Sequence, residues 1–216
     1  MAPEIQSAGP PPERHADRVV AEMLRHLTVQ QIAMRAAVTG AICSSSDGSP
    51  RAQRKLAQRI ERAGAFGISL EPGKRGQYTL GFVELVGWDP VRDGPVQPGD
   101  ELPEKPWLGY CVCVLKSRGR GFGEVKYHAR PILFMTHHAL SRAAQRWGVR
   151  TVEHLVKATK LSAAFIADLV DNEQTLDALD GRTFADRVVQ VGKDARLNCV
   201  ITQHDKRPAV VIATVY

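Results

Sequence analysis

Apolar residues recur along this chain with two periods, and the changes between them predict its elements. From Arg18 to Arg25 the spacing is helical, with Val19, Val20, Met23, Leu24 and Leu27 on one side. Thr28 is a capping residue type, so a second short helix is expected over Thr28–Ala36, with Ile32 and Ala33 facing inward. Gly40 to Ser49 is a small-residue loop. Pro50 suits the first position of a third helix, which points Leu56 and Ile60 to a core and ends at Ala63-Gly64. Alternation then takes over: strands are predicted over Phe66–Leu70 and Gln77–Val86, joined by the glycine- and charge-rich turn Pro72–Gly76.

Residues 88–106 carry five prolines and five acids without periodicity, and are expected to be a linker or a long ordered loop. Strands follow over Leu108–Leu115 and Glu124–His128, around the basic glycine-rich turn Lys116–Gly123. The apolar run Ile132–Met135 has the length of another strand. Thr136 is placed to cap a helix in which Leu140, Ala143, Ala144 and Trp147 form a core arc. His138, Arg142 and Arg146 then share a ridge on roughly the opposite side. Helices are expected over Thr151–Ala158, Ser162–Val170 and within Glu173–Leu179, and period-2 strands over Val188–Val191, Leu197–Gln203 and Ala209–Tyr216. The expected class is α+β: a disordered leader (1–17), a three-helix-plus-hairpin domain (18–87), the Pro-rich segment (88–106) and an antiparallel-sheet-plus-helices domain (107–216).

Charge changes this picture by pointing to a partner. The net charge is +6; residues 1–106 balance 13 basic against 13 acidic side chains, whereas 107–216 carry 16 against 10. Within 107–157 the ratio is nine to two, a local excess typical of polyanion-binding surfaces. No apolar run approaches the roughly 20 residues that span a bilayer, so no membrane association is expected, and the location expected is cytoplasmic. The cysteines Cys43, Cys111, Cys113 and Cys199 lack the knuckle spacing of a structural zinc site, and Cys111 and Cys113 alternate onto one strand face. Neither a metal nor another cofactor is expected.

Two resemblances add to this. TVQQIAMRA, RKLAQRIERAGAF and PGKRGQYTL resemble the second helix, third helix and wing of winged-helix domains. That likeness implies Arg51, Arg54, Lys55 and Arg59 in or beside a DNA groove and Lys74 and Arg75 on phosphate from the wing. Equally, the same residues make a solvated basic helix. In the turn at 116–123, Arg118 and Arg120 can wrap a phosphate backbone while Phe122 stacks on a base, or the segment is simply a hairpin tip.

The second resemblance is carried by His138-Ala139-x-x-Arg142-x-x-x-Arg146 and the closing strand Ile212-Ala213-Thr214-Val215-Tyr216. These are similar to the barnase, EndoU, colicin and RelE superfamily, mostly metal-independent ribonucleases, many of them toxins. The likeness implies RNA as substrate and leaves room for a neutralising protein partner. Cleavage of RNA without metal needs a base for the 2′-hydroxyl proton, an acid for the leaving oxygen and cations for the phosphorane charge. His138 is the candidate base, Arg142 and Arg146 the phosphate clamp, and His204 or Tyr216 the acid, with Lys126, His128 and His137 in reserve. The alternative is a non-catalytic DNA-binding regulator whose second half serves oligomerisation or ligand sensing.

Overall fold

The computed structural model of the chain describes residues 13–43, 49–73, 77–116, 126–149, 151–160, 184–191, 195–204 and 207–215. The helices expected over 162–170 and 173–179 lie outside these residues. Among the described residues there are four helices: α1 (Glu13–Cys43), α2 (Pro50–Arg62), α3 (His137–Arg146) and α4 (152–160). The strands are β1 (Phe66–Pro72), β2 (Tyr78–Asp89), β3 (Gly94–Pro95), β4 (Trp107–Lys116), β5 (Lys126–Met135), β6 (Phe184–Val191), β7 (Ala195–His204) and β8 (Arg207–Val215). The chain is therefore mixed α and β, and among the described residues no helix is long and apolar enough to cross a membrane.

α1 replaces the two helices expected. No proline or glycine interrupts the chain between Glu13 and Thr39, and the apolar stripe keeps its phase from Ala16 through Val20, Met23 and Leu27 to Met34 and Val38. The Thr28 hydroxyl does not cap a new helix; it donates back to the Leu24 carbonyl at 3.0 Å, a bond available only inside a continuing helix. The same phase corrects the inward residues. Gln31 and Met34 are buried, while Ile32 is 53% exposed and Ala33 is also exposed. The expected leader is shorter at its inner end, since residues 13–17 are helical and Ala16 is fully buried.

α2 starts as its sequence predicts, with the Ser49 hydroxyl accepting from the Ala52 N–H and Pro50 in the first turn. It stops at Gly64, whose φ of 106° suits glycine. A side chain there would also come 2.7 Å from the Gln30 amide oxygen on α1. The winged-helix arrangement is not confirmed: one helix occupies the place of two, and β1 and β2 continue into a larger sheet instead of closing a separate hairpin.

That sheet has the order β1-β2-β4-β5-β8-β7-β6, with β3 beside the end of β2. β2 and β4 pair antiparallel from Thr79↔Lys116 to Trp88↔Trp107, so strand pairing runs across the Pro-rich segment. That segment is an ordered turn: one Asp89 carboxylate oxygen accepts from the Val91 and Arg92 N–H groups at 2.9 and 3.2 Å, and Arg92 reaches Asp100 at 3.2 Å. β5 joins the two strands expected on either side of residue 130. It accommodates Pro131 at a register shift opposite Tyr110/Cys111, where a missing N–H is tolerated. The expectation of an all-antiparallel second half is corrected at β5 and β8, which run parallel over Leu133↔Val210 to Met135↔Ile212. β8 closes the β6-β7-β8 meander, and its direction follows from the crossover that leaves β5 through α3.

Alternation along the strands separates two cores on the two faces of the sheet. One contains Leu85, Leu108, Tyr110, Leu133 and Met135 beneath α3, α4 and the first half of α1. The other contains Leu80, Phe82, Val86, Cys113 and Leu115 beneath α2 and the second half of α1. α1 serves both because it passes the outer edge of β2, where strand pairing stops at Val83 and resumes at Trp88. Tyr110 ties α4 to the sheet through a fully buried hydroxyl that donates to the Thr159 carbonyl at 3.0 Å; burial pushes its pKa up. Lys160 reaches the Gly64 carbonyl at 2.9 Å and lies 5.3 Å over the Phe66 ring, so α4 also touches the turn after α2.

Candidate functional sites

The first group of candidate residues lies on α3. Thr136 caps it, accepting from the Ala139 N–H at 3.1 Å and donating its hydroxyl to the Ala213 carbonyl at 3.1 Å. Its own N–H bonds the Ile212 carbonyl, which pins the start of the helix to the carboxyl end of β8. A cap of this kind contributes about 1 kcal/mol, and here it also orients the helix. Ala139, Leu140, Ala143 and Ala144 are buried, leaving His138, Arg142 and Arg146 exposed at four-residue spacing. Arg142 donates to Gln145 at 3.1 Å. His137 is different: it is half-buried, with Nε2 at 3.6 Å from the Asp17 carboxylate, which also accepts from the Ser141 hydroxyl. It serves the α1–α3 junction.

The structure does not gather every expected member of this site. His204 pairs with Arg207 at the amino end of β8, whereas α3 begins beside Ile212. Five strand residues separate the two, roughly 17 Å at 3.3–3.4 Å per residue. Lys126 and His128 likewise stand at the far end of β5 from Met135. Tyr216 lies outside the described residues, as do Lys74, Arg75, Arg118, Arg120 and Phe122.

The second group lies on α2. Gln53, Leu56 and Ile60 turn inward, and Arg51, Arg54, Lys55, Arg59 and Arg62 are all exposed. The 13-residue helix has a single acid, Glu61, and among the described residues none of the five cations has an acidic partner. The cations therefore project a field of one sign. α2 and α3 pack on opposite faces of the sheet, so their basic surfaces are separate.

A third place was not expected from the sequence. Between α1 and the edge of β2 lies a cavity of roughly 390 Å³, walled by Met34, Val38, Val86, Pro95 and Cys111, with exposed Ala129 at its rim. Four polar side chains join this lining: Gln31, Arg35, Thr39 and Glu84. Gln31 is 3% exposed, and among the described residues neither its amide oxygen nor its amide nitrogen has a hydrogen-bond partner. Burial pushes the Glu84 carboxyl up to about 7, against the opposing pull of the Arg35 charge and a contact from the Cys113 thiol at 3.9 Å. Arg35 makes no ion pair with it and instead donates to Gln97 at 2.8 Å. Cys111 is buried, and its thiol pKa is raised by that burial, which keeps the sulfur protonated and unreactive.

A signal for this cavity was present. Gln31 interrupts the apolar stripe of α1, and Glu84 interrupts the inward series Tyr78, Leu80, Phe82, Val86 and Trp88 of β2. Among the described residues no cluster of His, Cys, Asp or Glu is arranged to hold a metal ion. No protein-family model, curated protein or solved structure matches the chain.

Proposed function

We propose that this protein binds nucleic acid, using the exposed basic face of α2 against the phosphate backbone. The observation that carries this is the set Arg51, Arg54, Lys55, Arg59 and Arg62 on one short helix, all exposed and without acidic partners among the described residues. Neutralising phosphates with such side chains releases condensed counterions, which is the main source of sequence-independent affinity. Anisotropy titrations of labelled duplex DNA and RNA across a salt series test this. The triple variant Arg54→Glu, Lys55→Glu, Arg59→Glu is expected to weaken binding by at least about tenfold. It should also flatten the log K against log salt slope by about 2–3, near 0.9 per lost phosphate contact. Unchanged affinity and slope would exclude α2 as the contact surface.

One observation favours a second reading, ribonuclease chemistry at α3. His138 is exposed in the first turn of the helix, where backbone N–H groups attract phosphate, and Arg142 and Arg146 follow on the same side. In that reading His138 takes the 2′-hydroxyl proton, the two guanidinium groups hold the scissile phosphate, and the departing 5′-oxygen takes its proton from solvent water. His204 is not a member of it. Incubation with RNA in EDTA is expected to release cyclic-phosphate ends, and His138→Ala should cost about 10²–10⁴-fold in rate. Absence of cleavage by the folded wild type would leave α3 a basic surface without catalysis.

A further inference from the structure

We infer that the cavity between α1 and β2 is a binding site for a small zwitterion, an α-amino acid with an apolar side chain. Three features select this class, independently of the nucleic-acid reading. First, Glu84 and Arg35 line one cavity and influence each other electrostatically, yet form no ion pair. A ligand ammonium would sit against the Glu84 carboxyl and favour its ionised form, and a ligand carboxylate would meet the Arg35 guanidinium. Second, the buried Gln31 amide offers a carbonyl oxygen and an NH2 group with two donors, and among the described residues neither has a hydrogen-bond partner. A rotation of the Gln31 side chain toward the cavity would let a ligand's ammonium donate to Oε1 and its carboxylate accept from Nε2. Third, the remaining walls are apolar, from Met34, Val38 and Val86.

Other ligand classes fit less well. A wholly anionic ligand would face the Glu84 carboxyl, and a wholly apolar one would leave the Gln31 amide unpaired and so gain nothing from it. The volume, roughly 390 Å³, is at the small end of the range for ligand pockets and ample for a single amino acid. Arg35, Thr39 and Ala129 are exposed, so the ligand enters past the guanidinium.

Calorimetric titration and thermal unfolding of the full chain test the site, with L-leucine, L-methionine, L-phenylalanine and L-tryptophan as probes. At least one is expected to bind saturably and raise Tm as its concentration passes Kd. N-acetylation removes the ammonium and amidation removes the carboxylate. Each of these derivatives of the bound amino acid should bind at least about tenfold more weakly. Gln31→Leu and Glu84→Gln conserve side-chain volume, and both should weaken binding by at least about tenfold while the chain remains folded. The inference is overturned if none of the four binds the folded wild type. It is equally overturned if the N-acetyl or amide forms bind as well as the parent, or if both variants bind unchanged. A loss of nucleic-acid binding in the α2 variant with the amino-acid response intact separates this site from the one proposed on α2.

Discussion

A fragment spanning residues 107–216 is expected not to fold by itself. In the whole chain β4 pairs with β2 from Lys116 to Trp107, and cutting before residue 107 strips that partner from a strand with six of its ten residues buried. The larger loss is on the face that holds α3. There Tyr110, Leu133, Met135, Leu140 and Ala143 share a core with Val19, Val20, Met23, Leu24 and Leu27 of α1, all at most 3% exposed. Burying a side chain of this size contributes roughly 1.5–3 kcal/mol, so removing five forfeits on the order of 10 kcal/mol. That is comparable with the whole stability of an ordinary domain, about 5–15 kcal/mol. The Asp17 contacts to Ser141 and His137 go as well. Circular dichroism, amide dispersion and thermal melting of the purified fragment decide the matter. A dispersed spectrum with a cooperative melt would mean that the second half holds an independent core.

Replacing Glu84 by Gln is expected to stabilise the protein at pH 8 by about 3 kcal/mol and to change little near pH 4. The sign follows from the carboxyl's raised pKa, about 7 in the folded chain against an ordinary 4.5. Below pH 4.5 the group is protonated in both folded and unfolded states, and ionisation costs nothing. Between 4.5 and 7 the folded state holds the proton and the unfolded state releases it, so the wild type loses stability as pH rises through this window. Above 7 the penalty is complete and constant. A glutamine has the same shape and no charge to bury, so its stability is independent of this ionisation. Urea unfolding of both proteins at pH 4, 6 and 8 measures the difference; equal stabilities at pH 8 would show that the carboxylate is already compensated in the folded chain.

Both expected effects concern contacts that the sequence indicated only in part. The inward residues of the first half of α1, the Pro50 start of α2 and the Thr136 cap with its exposed His138, Arg142 and Arg146 were legible, because each depends on spacing within a few residues. Thr28 misled, since a threonine can cap a helix or bond back within one, and only the continuing phase to Met34 and Val38 decides which. The strands expected over Glu124–His128 and Ile132–Met135 are likewise parts of one, because a register shift lets β5 run through Pro131.

The site between α1 and β2 was half visible. Gln31 and Glu84 each break an apolar series, which marks them as unusual but does not say that they meet, since 52 positions separate them in the chain. By itself, then, the sequence determined most of the local elements and the buried faces of α2, α3 and the first half of α1, because burial along one helix or strand repeats with a fixed period. Only the tertiary structure decided that β2 pairs with β4 across the Pro-rich segment, that β5 and β8 run parallel, and that Gln31, Arg35 and Glu84 line one cavity. Those outcomes depend on which finished surfaces come together over long chain separations, and no local period encodes that choice.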